Sequence, residues 1–238
     1  MGTFYHGTAA RFYYHTFDMS GYAEQVEQQL SRSLAEYRPL SGTAVRRLGG
    51  HRDARITLTG GALDTSVGAN DAFAWARLAE DTERVWAFLP YGDAVGRACY
   101  CGQAVGENQQ RVAGDDIVRL PVAMLSTEEV DRCVILRALA AGGTSPGATH
   151  DGGAASATGG AAYLMCTALS GASAELTVTF EHSADGTGWD PLAAMTALTA
   201  TGSERKEVVG AVRQYLRVSW TLTGTDPAAT WFAAFGRR

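Results

Sequence analysis

Lysine is almost missing from this chain: Lys206 is the only one in 238 residues, and asparagine occurs only at Asn70 and Asn108. Every other permanent cation is arginine and glycine reaches 28, a bias that reads as genomic composition and carries no function. Long apolar runs are missing as well, and none approaches the ~20 residues that a membrane-spanning helix needs. The opening Met1-Gly2-Thr3-Phe4-Tyr5-His6 lacks the basic and apolar regions of a secretory signal, so synthesis and retention in a cytoplasm are expected. There is no excess of positive charge: the net charge is -5. That excludes simple nucleic-acid binding, which needs a basic face for the phosphates.

Recognisable catalytic signatures are absent too. His6, His15, His51, His150 and His182 are scattered without metal-ligand spacing, and no H-E-x-x-H, G-x-S-x-G, Walker A or dinucleotide fingerprint occurs. No nucleophile, base and orienting group can be assembled, so no enzyme, no cofactor and no metal site is expected. Four cysteines remain to be placed. Cys99 and Cys101, one residue apart in an extended segment, point to one face, while Cys133 and Cys166 sit singly in apolar runs. Without C-x-x-C spacing or a nearby histidine, all four read as reduced core residues.

What is present is alternation. In Glu175–Glu181, Leu176, Val178 and Phe180 face one way and Thr177, Thr179 and Glu181 the other; Tyr215–Leu222 repeats this with Leu216, Val218, Trp220 and Leu222. Such period-two patterning marks strands with one wet face. Further runs of strand composition span 10–15, 54–59, 84–89, 98–105, 117–125 and 130–136. One helix is expected after Asn70 or Asp71 as cap, with Ala72, Trp75, Ala76 and Ala79 on its apolar face. Tyr22–Tyr37 stays open between helix and strand: its Glu, Gln, Leu and Ala favour helix, with Tyr22, Val26, Leu30 and Leu34 spaced by four. From Ala141 to Gly160 the chain reads AGGTSPGATHDGGAASATGG, a linker or long surface loop. The expected division is therefore 1–140, a linker at 141–160, and 161–238.

The order and spacing of several blocks resemble the tail tube, or major tail, proteins of long-tailed non-contractile bacteriophages, especially those of actinobacterial hosts. His6-Gly7 before Phe12-Tyr13-Tyr14 is similar to that family's first strand, and Asp18-Met19-Ser20-Gly21-Tyr22 to its D-I-S-x-Y turn. Gly49 through Gly60 resembles the G-L-x-D-x-x-x-x-L-x-G strand, and Val95 through Ala104 the V-G-x-x-x-Y-x-G-x-A strand. Val130 through Leu136 resembles the strand that closes the tube domain, with Cys133 where glycine is usual. Ala161–Leu164, His182–Asp185, Ser203–Arg205 and Tyr215–Val218 are similar to the appended outer domain of longer members. Nearly the whole chain is covered, in order. One departure is Tyr22–Tyr37, richer in Glu and Gln than the family's strand there.

The resemblance implies a mainly β protein: a tail-tube fold of two packed antiparallel sheets with one flanking helix, followed by a small C-terminal antiparallel β-sandwich. It implies a structural virion protein, made in the host bacterial cytoplasm and located in the tail, that forms stacked hexameric rings around a channel for viral DNA. Its partners would be copies of itself, a tape measure protein and tail-end proteins, with no membrane. The segment Ser31–Gly50 resembles the loop used between rings, which makes Arg32, Arg38, Arg46 and Arg47 the ring-to-ring candidates. The alternative is a virion decoration or adhesin protein, binding host-surface glycan by stacking on Trp189 of Ser183-Ala184-Asp185-Gly186-Thr187-Gly188-Trp189.

Overall fold

The computed structural model describes residues 7–37, 46–66, 69–114 and 116–238. His6 and Arg38, named above, lie outside the described residues. In chain order the elements begin with β1 (Arg11–Tyr14), β2 (Phe17–Asp18), β3 (Gln25–Tyr37), β4 (Arg46–Thr59), α1 (Asn70–Leu78) and β5 (Arg84–Leu89). There follow β6 (Ala98–Gln109), β7 (Val112–Ala113), β8 (Val118–Arg119), β9 (Val122–Ser126) and β10 (Asp131–Ala141). The last are β11 (His150–Asp151), β12 (Gly160–Ser183), β13 (Asp190–Ala194), β14 (Gly202–Val208) and β15 (Tyr215–Arg237). The fold is thus mainly β, with antiparallel pairing and one α-helix among the described residues, as expected. No described helix is long and apolar enough to cross a membrane.

The chain divides into two compact units. Unit 1 gathers residues 1–21, 84–102 and 131–238, so it takes in residues from both sides of the 141–160 stretch. Its strand order is β13-β12-β15-β10-β6-β5-β1-β2, with β14 also on β12 and β11 on β15. β12 and β15 pair along nearly their whole lengths, from Gly160 against Arg237 to Ser183 against Tyr215, with three register shifts. Their outer halves have one apolar face, as the alternation predicts: Leu176, Val178, Phe180, Leu216 and Val218 are all buried. Their inner halves are buried on both faces. Ala162, Leu164 and Cys166 enter one apolar cluster with Trp231 and Phe235, while Ala161, Tyr163 and Met165 enter another with Tyr13, Ile135 and Phe232.

All four cysteines are free and buried. Cys99 and Cys101 do share a face, their sulfurs 3.8 Å apart, and Cys99 stands opposite Cys133 across the β6–β10 pair. None of the four is more than 3% exposed, so a reagent in solution has no path to any sulfur in the folded chain. The expected result is that a disulfide reagent such as dithiobis(nitrobenzoate) finds no reactive thiol in the native protein and four in denaturant. Rapid release of even one equivalent under native conditions would contradict this packing.

Unit 2 comprises residues 22–83 and 103–130, with the strand order β3-β4-β9-β6, the short pair β7–β8, and α1. Within the open segment Tyr22–Tyr37, Gln25–Tyr37 is strand, because β3 pairs with β4 from Gln25–Thr59 out to Tyr37–Arg46. The expected strand at 117–125 is broken in two around Pro121, which has no N–H to give a ladder. The helix forms where expected but differs at both cap and face. Its N-cap is Ala69, without a side-chain hydrogen bond. Asn70 is instead buried, its Oδ1 accepting the Asp64 N–H at 2.9 Å and its Nδ2 donating to the Ala62 carbonyl at 2.8 Å. Trp75, on the face expected to pack inward, is 62% exposed, whereas Trp86 and Trp231 are buried.

Candidate functional site

The longest unpartnered backbone in unit 2 belongs to β3. Among the described strands it pairs with β4 alone, leaving its other edge open over 13 residues. The β4 strand in turn pairs with β9 only at Arg55–Leu58. From Ser31–Asp53 out to Tyr37–Arg46 the hairpin is therefore two-stranded. On β3, Val26, Gln28, Leu30, Arg32 and Leu34 fall on one face by period two, and Leu30 and Leu34 are 58% and 60% exposed. A two-stranded ribbon is marginally stable by itself in water, and an exposed edge bearing leucines is a template for another chain.

Where the ribbon meets the rest of unit 2, a cavity of about 350 Å³ is lined by Leu30, Ser31, Arg32, Asp53, Glu128 and Val130. Of the ring-to-ring candidates, Arg32 is among the residues that line this cavity. Arg46 and Arg47 lie in β4, in register with Tyr37 and Glu36, so both flank the same ribbon. Arg55, nearer the base, pairs with Glu107 at 3.0 Å. The arrangement offers an open backbone edge and exposed apolar side chains, with arginines in the sequence of both strands.

The second candidate, Trp189, sits in unit 1 beside β13 and is partly buried. The Arg217 guanidinium lies 4.1 Å from its ring centroid, and Arg217 Nε donates to Glu181 Oε2 at 2.6 Å. The preceding turn is tied by Asp185 Oδ1, which accepts the Thr187 and Gly188 N–H groups at 2.8 and 2.9 Å. Those hydrogen bonds hold the Asp185 carboxyl well below the usual carboxylate range. One face of the indole is thus already occupied by a cation in a self-satisfied hairpin tip.

Two clusters had no sequence signal, since their members lie far apart in the chain. One centres on buried Asp131, which accepts from Tyr163 Oη at 2.6 Å and Arg238 Nε at 3.1 Å. The other places Arg137 over both Trp220 and Trp231, at 4.7 and 4.3 Å from the ring centroids. Both are internal to unit 1 and bind its strands together.

No family model matches the chain, and no curated protein matches it. Twelve chains of solved structures do. One, from the virion of a native gene transfer agent particle, is 12% identical over 53% of this chain and 97% of its own, with a TM-score of 0.42. Another, the SPP1 Dit protein, described as a paradigm of the hub adsorption apparatus in phages infecting Gram-positive bacteria, is 9% identical over 96% of this chain and 99% of its own, with a TM-score of 0.38. A chain of the phage p2 baseplate in its activated conformation with Sr is 8% identical over 96% and 98%, with a TM-score of 0.36. At such identities and TM-scores, no function is carried across from these proteins.

Proposed function

We propose that this chain is a structural protein of a bacteriophage-type virion tail, assembling into stacked hexameric rings that form a tube for DNA. The observation that carries the reading is the β3–β4 ribbon: an open edge, two exposed leucines and flanking arginines, on a projection too thin to be stable alone. Pairing such edges between copies would satisfy the backbone and remove the aggregation hazard in one step. The blocks that resemble tail tube proteins support the same reading. Arg32, Arg38, Arg46 and Arg47 would meet carboxylates of the next ring, and the 161–238 part would face outward. A tape measure protein and tail-end proteins would complete the assembly.

Charge is consistent with passage of DNA rather than capture. Six chains at -5 each carry -30 per ring, which would keep phosphate from sticking to the assembly. The adhesin reading through Trp189 draws no support from the ring geometry, because Arg217 covers one face.

Negative-stain electron microscopy with light scattering across a concentration series tests the proposal. Hollow rings or tubes of sixfold symmetry are expected, growing in units of six chains of 25.2 kDa each. A monodisperse monomer at every concentration would overturn it.

A further inference from the structure

We infer that His182 is an acid-sensitive latch: its imidazole holds the segment 212–214 closed against the ends of β12 and β15, and protonation releases it. The chain leaves β12 at Ser183, runs through β13 and β14, and returns to begin β15 at Tyr215. The ladder between the two long strands stops there, with His182 opposite Leu216 and Ser183 opposite Tyr215. Arg213, two residues before β15, makes the next closure: its backbone N–H donates to His182 Nδ1 at 3.3 Å. All of these residues belong to unit 1 of a single chain.

A backbone N–H can only donate, so Nδ1 is the acceptor and the neutral ring carries its proton on Nε2. The proton taken up in acid therefore lands on Nδ1 itself. Two N–H groups then face each other, and the hydrogen bond is lost rather than weakened. The loss reaches beyond one bond. The Arg213 and Gln214 carbonyls each accept Arg237 Nη2 at 2.6 Å, while the Ala154 carbonyl accepts Arg237 Nη1 at 2.6 Å. Val212 exchanges two hydrogen bonds of 2.8 Å with Ser156, and the Gln214 carbonyl also accepts the Gly152 N–H at 3.0 Å. The 212–214 segment thus ties residues 152–156 to the end of β15, and His182 holds its middle residue.

The charges around the ring oppose a second proton. Asp190 stands opposite His182 on β13, but its carboxylate is already paired with the Arg213 guanidinium. Arg213 and Arg237 both act on the ring as cations against that single anion. On the far side of β15, His150 stands opposite Leu216 and Asp151 opposite Tyr215, and both interact with Arg237. Glu181 and Arg217 pair with each other on the opposite face of the sheet. Burial first, and then the two arginines, hold His182 below its ordinary value of 6.5. With the folded value lowered, the unfolded chain takes the proton more readily. The latch therefore contributes fully above the unfolded value, and its contribution is lost as the pH falls through the folded one.

Hydrogen exchange read by mass spectrometry tests the latch on the full chain, kept dilute enough to stay unassembled. Rates are divided by the intrinsic exchange rate at each pH. In the wild type, protection over residues 209–214 is expected to fall roughly 5-fold between about pH 7.5 and about pH 5, the equivalent of one hydrogen bond. Residues 176–180 of β12 keep theirs. His182→Asn sets an amide oxygen where Nδ1 stands and cannot take a proton there, so its protection over 209–214 is expected to stay level. His182→Leu has no acceptor and is expected to be weakly protected at both pH values. No fall in the wild type would overturn the latch, and so would full protection in His182→Leu at the upper pH. An equal fall in His182→Asn would assign the effect to His150 or to general acid loosening, and overturn it too. A proton NMR titration of the wild-type imidazoles needs no variant to fold: His182 is expected to titrate below 6.5, and a value at or above 6.5 would overturn the proposal.

Discussion

Replacing Asp131 by alanine is expected to lower the unfolding free energy by about 3–5 kcal/mol, the usual effect of stripping one partner from a buried ion pair. The carboxylate is 5% exposed at the start of β10. Its Oδ2 accepts the Tyr163 hydroxyl at 2.6 Å, and Arg238 reaches Oδ1 through Nε at 3.1 Å. Arg205, with a side chain only 6% exposed, stands 3.9 Å from the same carboxylate and donates to Tyr163 Oη at 3.2 Å. Glu207 balances the second positive charge, at 3.2 Å from Arg205 and 2.6 Å from Arg238. Removing Asp131 leaves two guanidiniums facing one carboxylate, and a buried phenol without its acceptor. The cluster ties β10, β12, β14 and the residue after β15, so the loss propagates through unit 1. Asp131→Asn keeps an acceptor for Tyr163 and removes only the charge, and a smaller loss is expected. Urea denaturation followed by tryptophan fluorescence measures both; a loss under about 1 kcal/mol for the alanine variant would mean water already shares the site.

That cluster illustrates where sequence reading reaches and where it stops. Alternation in Leu176–Phe180 and Leu216–Leu222 was legible because those halves of β12 and β15 bury one face. The inner halves were not, because Ala161–Cys166 and Trp231–Phe235 bury both faces and so read as unbroken apolar runs. β3 shows a different ambiguity. A spacing of four, as in Val26, Leu30 and Leu34, fits one face of a helix and equally one face of a strand; pairing with β4 decided it. On α1 the periodicity was correct but the direction was not, since a helix with small and aromatic residues on one side carries no mark saying whether another copy or its own core covers them. Arg32 was legible as a candidate from its place in a basic hairpin, whereas the Leu30 and Leu34 exposure beside it required the fold. Asp131, Tyr163, Arg205 and Arg238 meet from four distant points of the chain, and no local pattern encodes such a meeting.

The largest core effect is expected at Trp231. Truncation to alanine should cost about 3–5 kcal/mol through the cavity and lost burial, towards the upper end because a cation is stranded as well. Trp231 is 1% exposed and meets Trp220 edge-on with centroids 5.1 Å apart. Arg137 lies over both rings, and burial lowers its pKa, so the charge there depends on the aromatic faces for the solvation it has given up. Its Nη2 donates to the Ala140 carbonyl at 3.1 Å and to that of Gly142, which anchors the start of the glycine-rich stretch. Farther along, the Trp220 N–H donates to Ser145 Oγ at 2.9 Å and the Gly147 N–H to the Val218 carbonyl at 2.8 Å. Loss of Trp231 should therefore loosen residues 142–147 together with the core, read as faster amide exchange there than in the wild type. The same substitution at Trp75 removes an exposed ring and should leave the urea midpoint nearly unchanged. The two alanine variants thus separate a tryptophan that holds the fold from an exposed one that does not. A Trp231→Ala variant as stable as Trp75→Ala would mean that β15 does not bury this face.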